Sequence, residues 1–169
     1  MFKMNFLRMR TQNALRKNDS LRASLPYRQA HHIGIMFSVE DKQKHLDIKE
    51  FIHHLEQDGK QVQVLEYLPL KKENYEFKFD FFTIKDLTFW GKINSEQALK
   101  FSETKFDYLF YIDCDLNPLA LYLLALSKAR CRVGRFTENG NSFFEMMIEQ
   151  SGTTKGLIET MYKYAKQLR

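Results

Sequence analysis

Only two cysteines, three prolines and seven glycines punctuate the 169 residues of this chain. Cys114 and Cys131 make no C-x-x-C pair and no metal-like spacing, which leaves a disulfide scaffold or a zinc ribbon without material. Two free thiols beside strands, in a reducing, cytoplasmic setting, are the expectation. The longest apolar run, Leu119–Leu126, falls far short of the ~18 residues of a membrane span, so no transmembrane segment is expected. Glycine-rich phosphate loops are missing: neither G-x-G-x-x-G nor GK[ST] follows any strand-like run, and no G-x-S-x-G elbow occurs. His31, His32, His45, His53 and His54 make neither H-x-x-x-H nor H-E-x-x-H, so no metal site is expected.

Acidic residues are scarce in one place. Residues 1–28 hold Lys3, Arg8, Arg10, Arg16, Lys17, Arg22 and Arg28 against Asp19 alone, while the other 141 residues hold 19 basic and 20 acidic groups. The body is close to neutral, and the formal charge of +5 belongs to the leader. A basic leader seeks an anionic surface: nucleic acid, lipid headgroups or an acidic protein. Phe2, Phe6, Leu7 and Met9 interleave with its charges, as in an interfacial helix. Two other readings stand beside this one. The leader is an extra helix packed on the domain with its charges solvated, or an Arg-rich transit segment. If the surface is lipid, the protein is peripheral to a membrane.

What the sequence has in plenty is apolar and aromatic material, 44% and 14%, enough for one well-filled domain. Ile33–Phe37 reads as a first strand. Ile48, Phe51, Ile52 and Leu55 form one helical face, closed by Asp58-Gly59. Gln61–Tyr67 is a second strand. Tyr75, Phe77, Phe79 and Phe81 alternate as a third. Phe89 and Trp90 fall in an irregular stretch and are expected to pack over a sheet edge; an exposed binding platform is the alternative. A short helix over 94–102, a central strand Phe106–Ile112 and an apolar helix opened by Asn117-Pro118 follow. That helix is apolar nearly all round, so a cover is required, and a homodimer interface would supply one. Arg130–Phe136 and Ser142–Glu149 are the last strands, and Thr153 or Thr154 caps a final helix.

Strands alternating with helices imply an α/β domain: a Rossmann-like, mostly parallel sheet of about six strands with helices on both faces, over residues 31–169, behind a basic N-terminal helix over 1–30. If the strand order is 3-2-1-4-5-6, ligands bind where that order reverses, beyond the carboxyl ends of strands one and four. Ser38, Asp41, Asp113, Asp115 and Asn117 then meet, with Arg135 in reach from strand five. Asp41 and Asn117 also read as helix caps. Asp113 is the strongest functional candidate, because a carboxylate ending a central strand is unfavourable unless paired or used. Arg132 or Arg135 is its expected ion-pair partner. Asp113 and Asp115 together could hold Mg²⁺.

The stretch FDYLFYIDCDLNPLALYLLALSKARCRVGRF, with IGIMF before it and FFEMMI after it, resembles an uncharacterised family of Bacteroidota proteins of about this length. It is more distantly similar to the first half of the heptosyltransferases, glycosyltransferase family nine. Ile112-Asp113, the helix from Pro118, and Arg132-Val133-Gly134 match that family's strand, helix and strand. The resemblance implies a general base at Asp41, where the family has a Gly-Asp pair and this chain has Glu40-Asp41. Those enzymes hold a sugar-nucleotide donor in a second such domain. The expectation is therefore a binding or adaptor protein without a self-sufficient active site. The alternative is a degenerate transferase, or a sugar- or nucleotide-binding half-domain, using Asp41 and Asp113. No cofactor is identified.

Overall fold

The computed structural model describes residues 1–75, 78–150 and 152–169. Six parallel strands form one sheet in the order β3-β2-β1-β4-β5-β6: β1 His32–Ser38, β2 Gln61–Tyr67, β3 Asp80–Phe82, β4 Tyr108–Tyr111, β5 Cys131–Arg135 and β6 Met146–Ile148. The helices are α1 Phe2–Asn18, α2 Lys42–Gln57, α3 Glu96–Glu103, α4 Pro118–Leu126 and α5 Thr154–Gln167. The α/β class, the parallel sheet and its order are as the sequence implies.

Side-chain alternation builds two cores. Ile33, Ile35 and Phe37 of β1 and Tyr108 and Phe110 of β4 face α2 and α5, meeting Ile48, Phe51, Leu55, Leu157 and Met161. Met36, Leu109 and Tyr111 point the other way, toward α1, α3 and α4. Period two on the strands and period 3.6 on the helices place every one of these residues.

The apolar α4 finds its cover within the chain. Leu7, Thr11, Ala14 and Asn18 form the buried face of α1, and α1 lies along α4. Leu7 and Ala14 belong to the same core cluster as Met36 and Leu123. The buried Asn18 amide donates to the carbonyls of Ala125 and Leu126, 3.0 and 3.3 Å away, capping orphan carbonyls at the end of α4. The leader is thus both a basic helix and a roof over α4.

Three expectations change. The third strand is confined to Asp80–Phe82; Tyr75 and Phe79 instead pack against the ring of His45, and Phe77 lies outside the described residues. The last strand is shorter than 142–149, because Phe143 and Phe144 turn into the core and Glu145 is drawn onto Arg132. Phe89 and Trp90 do not cover a sheet edge. They form the exposed tip of a small hairpin closed by the antiparallel bridge Leu87–Ile93.

Candidate functional site

The order reversal brings the ends of β1 and β4 side by side, with Ile33–Met36 paired to Tyr108–Tyr111. Just beyond, the Asp113 carboxylate takes the Ser38 backbone N–H at 2.8 Å and the Ser38 hydroxyl at 2.6 Å. The two loops therefore do meet. Ser38, Glu40, Asp113, Asp115 and Asn117 line one recess of about 380 Å³ there, together with Leu116 and Pro118.

Asp113 is ion-paired, but with neither arginine. Its partner is Lys44, whose ammonium lies 2.7 Å from Asp113 Oδ1 and 2.7 Å from Glu40 Oε1. The Lys44 and Asp113 side chains are only 2% and 5% exposed. A buried carboxylate holding two hydrogen bonds and a cation is satisfied. Asp41 turns its Oδ1 onto the backbone N–H of Lys44, 2.8 Å away, and caps α2. Asn117 caps α4 through the N–H groups of Leu119 and Ala120. Asp115 remains exposed.

The arginines of β5 serve the scaffold. Arg132 grips Glu145 with two nitrogens, Nη2–Oε1 2.6 Å and Nε–Oε2 3.0 Å, and also donates to the carbonyls of Leu124 and Ser142. Arg135 donates to the carbonyls of Gln150 at 2.8 Å and Cys114 at 2.9 Å. It ties the Asp113 loop to the stretch after β6 and does not reach the carboxylate. Gly134 has a packing reason: a Cβ there would lie 2.4 Å from the Phe144 ring.

A second surface is built where α1 meets the 87–93 hairpin. Gly91 has φ +70, and a Cβ at that position would lie 2.4 Å from the backbone nitrogen of Leu7. The hairpin tip therefore rests directly on the helix backbone. Arg10 Nε donates to the carbonyl of Trp90 at 2.8 Å, and the Phe6 ring contacts Phe89 and Trp90 at 6.4 and 5.5 Å. Held this way, Phe89 and Trp90 are still 53% and 62% exposed. Phe2, Met9 and Arg16, seven residues apart, run along the outer crest of α1, and all three are exposed. Lys3, Arg8, Lys17, Lys85 and Lys92 are exposed around them. Arg22 is an exception to the basic face: its guanidinium is buried against the carbonyls of Ser127 and Ala129 and beside Glu145. Burial first, and then the neighbouring Arg132, lower its pKa to about 10.

A model of a family of unknown function (DUF6913) matches residues 3–168. The chain belongs to that family. Its span takes in nearly all of α1 as well as the sheet. Neither the curated proteins nor the solved structures gave a match.

Two buried polar groups on α2, Lys44 and His45, are not singled out by the motif reading of the sequence. Lys44 lies one turn before Ile48 on the apolar stripe of α2, and this spacing alone would have placed it inside. Its neighbour His45 is fully buried, with Nε2 3.0 Å from Glu66 Oε2. His45 Nδ1 faces the carbonyl of Asp41 at 3.4 Å. A carbonyl only accepts, so Nδ1 donates. Burial disfavours charge on both partners, so the Nε2–Glu66 contact is read as a neutral one in which the Glu66 carboxyl donates. Burial pushes Glu66 up to about 7 and lowers His45, the Lys44 charge adding to the latter. No position-by-position pattern pairs residues 45 and 66; only the packing of α2 against β2 does.

This pair has a pH signature. A carboxyl raised in the folded state contributes stability that is whole below its unfolded pKa, near 4.5, and is lost as pH rises through about 7. Glu66→Gln, which cannot ionise, is expected to abolish that loss. Between pH 5 and pH 8 the wild-type unfolding free energy should fall by roughly 2–3 kcal/mol relative to the variant's. Urea titrations across this range check it, and parallel profiles would show that Glu66 ionises freely in the folded protein.

Proposed function

We propose that this chain is a binding protein that docks through the basic outer face of α1 on an anionic surface. The observation that carries the reading is a contrast between the two surfaces. In the recess, Asp41 caps a helix and Asp113 is held by Lys44 and Ser38. On α1, Lys3, Arg8, Arg16 and Lys17 stand in solvent, with no acidic residue anywhere from Phe2 to Asn18. A one-signed face attracts an opposite charge over about a Debye length and does so less at high salt. The free thiols of Cys114 and Cys131 suit a reducing, cytoplasmic compartment, and among the described residues no helix is long and apolar enough to cross a membrane.

The alternative, a degenerate transferase or a sugar- or nucleotide-binding half-domain using Asp41 and Asp113, has less support. A general base needs a carboxylate facing substrate, and both candidates already have partners. The recess with Ser38, Asp115 and Asn117 could still seat a small polar ligand.

Charge reversal tests the reading without touching the core. Arg8→Glu, Arg16→Glu and Lys17→Glu combined should move elution from a heparin column to much lower salt and leave the circular dichroism spectrum unchanged. Identical elution would remove the proposal. Deleting the helix is the wrong experiment, since it strips the cover from α4.

A further inference from the structure

Resting on the reading above, we infer that the anionic surface is a phospholipid bilayer, and that the hairpin tip Phe89-Trp90 and the α1 crest residues Phe2 and Met9 enter its interface.

Basic residues alone would serve any polyanion. What separates lipid from nucleic acid or an acidic protein is the chemistry set among them. Four large apolar side chains project from two elements that share one edge, with exposures of 65% for Phe2, 53% for Met9, 53% for Phe89 and 62% for Trp90. Leaving that much apolar surface in water is unfavourable, and large apolar side chains exposed among polar ones mark an interaction site. Tryptophan and phenylalanine above a ring of lysine and arginine is the composition of a membrane-interface anchor. The rings enter the headgroup–acyl boundary, while the exposed Arg16, Lys17, Lys85 and Lys92 reach anionic headgroups. Single-stranded nucleic acid would instead require open ring faces. Here Phe89 and Trp90 stand edge to face, 5.3 Å apart at 87°, and Phe6 sits against Trp90 at 61°, so the rings form a wedge and not a stacking platform.

The wedge is preformed. The closest approach of the hairpin at Gly91, the Arg10–Trp90 hydrogen bond and the Lys3 contact with the Leu87 carbonyl fix it to the helix. Little ordering is then left for the moment of binding.

Trp90 is the only tryptophan in the sequence, so its emission reports on this site alone. The full chain is titrated with vesicles of phosphatidylcholine, with vesicles containing 30% phosphatidylglycerol, and with polyuridylate. The expected result is a blue shift with the anionic vesicles, quenching by lipids brominated near the interface, and partitioning at least ~10-fold tighter than to neutral vesicles, weakening with salt. Phe89→Ser and Phe2→Ser, both at exposed positions, should each lower partitioning about 5- to 10-fold. Binding to anionic vesicles without a blue shift, and indifferent to both serine variants, would overturn insertion and leave surface docking standing. Binding of polyuridylate without vesicle binding would overturn the lipid assignment only. Failure with all three, together with unchanged heparin elution of the charge-reversed protein, would remove both readings.

Discussion

Lys44→Met is expected to destabilise the protein by about 3–5 kcal/mol, the range for removing one partner of a buried ion pair. The ammonium is 2% exposed and sits 2.7 Å from Asp113 Oδ1. Methionine fills the volume but leaves Asp113, itself 5% exposed, with only the N–H and hydroxyl of Ser38. Glu40 loses a partner too, at little consequence, because it is half in solvent. The penalty therefore lies in the stranded carboxylate, and a second substitution reveals it. Asp113→Asn in the Lys44→Met background removes that charge and keeps an acceptor for Ser38, so it should recover at least half of the loss. Denaturant titrations of the four proteins give the coupling energy directly. A Lys44→Met protein within 1 kcal/mol of wild type would mean that Asp113 is not held by this pair, and would reopen the recess as a site where a carboxylate meets substrate.

Gly91→Ala is expected to lower stability by about 2–4 kcal/mol, although it adds one methyl group at a loop tip. Two effects act together. The residue has φ +70, where any L side chain is strained. Its Cβ would also lie 2.4 Å from Leu7 N and 2.7 Å from Phe6 C. Both neighbours are backbone, which cannot rotate aside, so the hairpin must lift off α1. The Arg10–Trp90 hydrogen bond and the Phe6 ring contacts then go with it. Trp90 emission should change in the folded variant, and vesicle partitioning should fall, because the wedge is no longer joined to the basic helix. A variant within 0.5 kcal/mol of wild type with unchanged emission would show that the hairpin does not rest on the helix in solution. Thermal or urea unfolding followed by circular dichroism decides it.

Local signals carried far in some segments and not in others. Asn117-Pro118 marked the start of α4 because a cap and a first-turn proline are read from two adjacent residues, and Asn117 does cap it. The stripe Ile48-Phe51-Leu55 named the buried face of α2 and, extended one turn back, already pointed to Lys44. The leader's charge was legible by counting. Its second role, covering α4, was legible only from the other end: an all-apolar helix needs a cover, and α1 lies along it. Arg132 was misassigned because a strand-end aspartate and a nearby arginine suggest a pair, whereas the bidentate partner is Glu145, brought in by the turn before β6.

The alternation of strands and helices determined an α/β sheet, and the polarity of each segment determined which residues would be buried. Periodicity is a property of the chain itself, since backbone geometry converts spacing into direction without reference to anything distant. Partner choice is different. That Lys44 meets Asp113, that His45 meets Glu66 and that Trp90 stands beside a basic helix depend on strand register and on how α1 and a hairpin some eighty residues away come to rest together. Such contacts are decided by the packing of whole elements, where the free energy is shared among many side chains and no short stretch of sequence records the outcome.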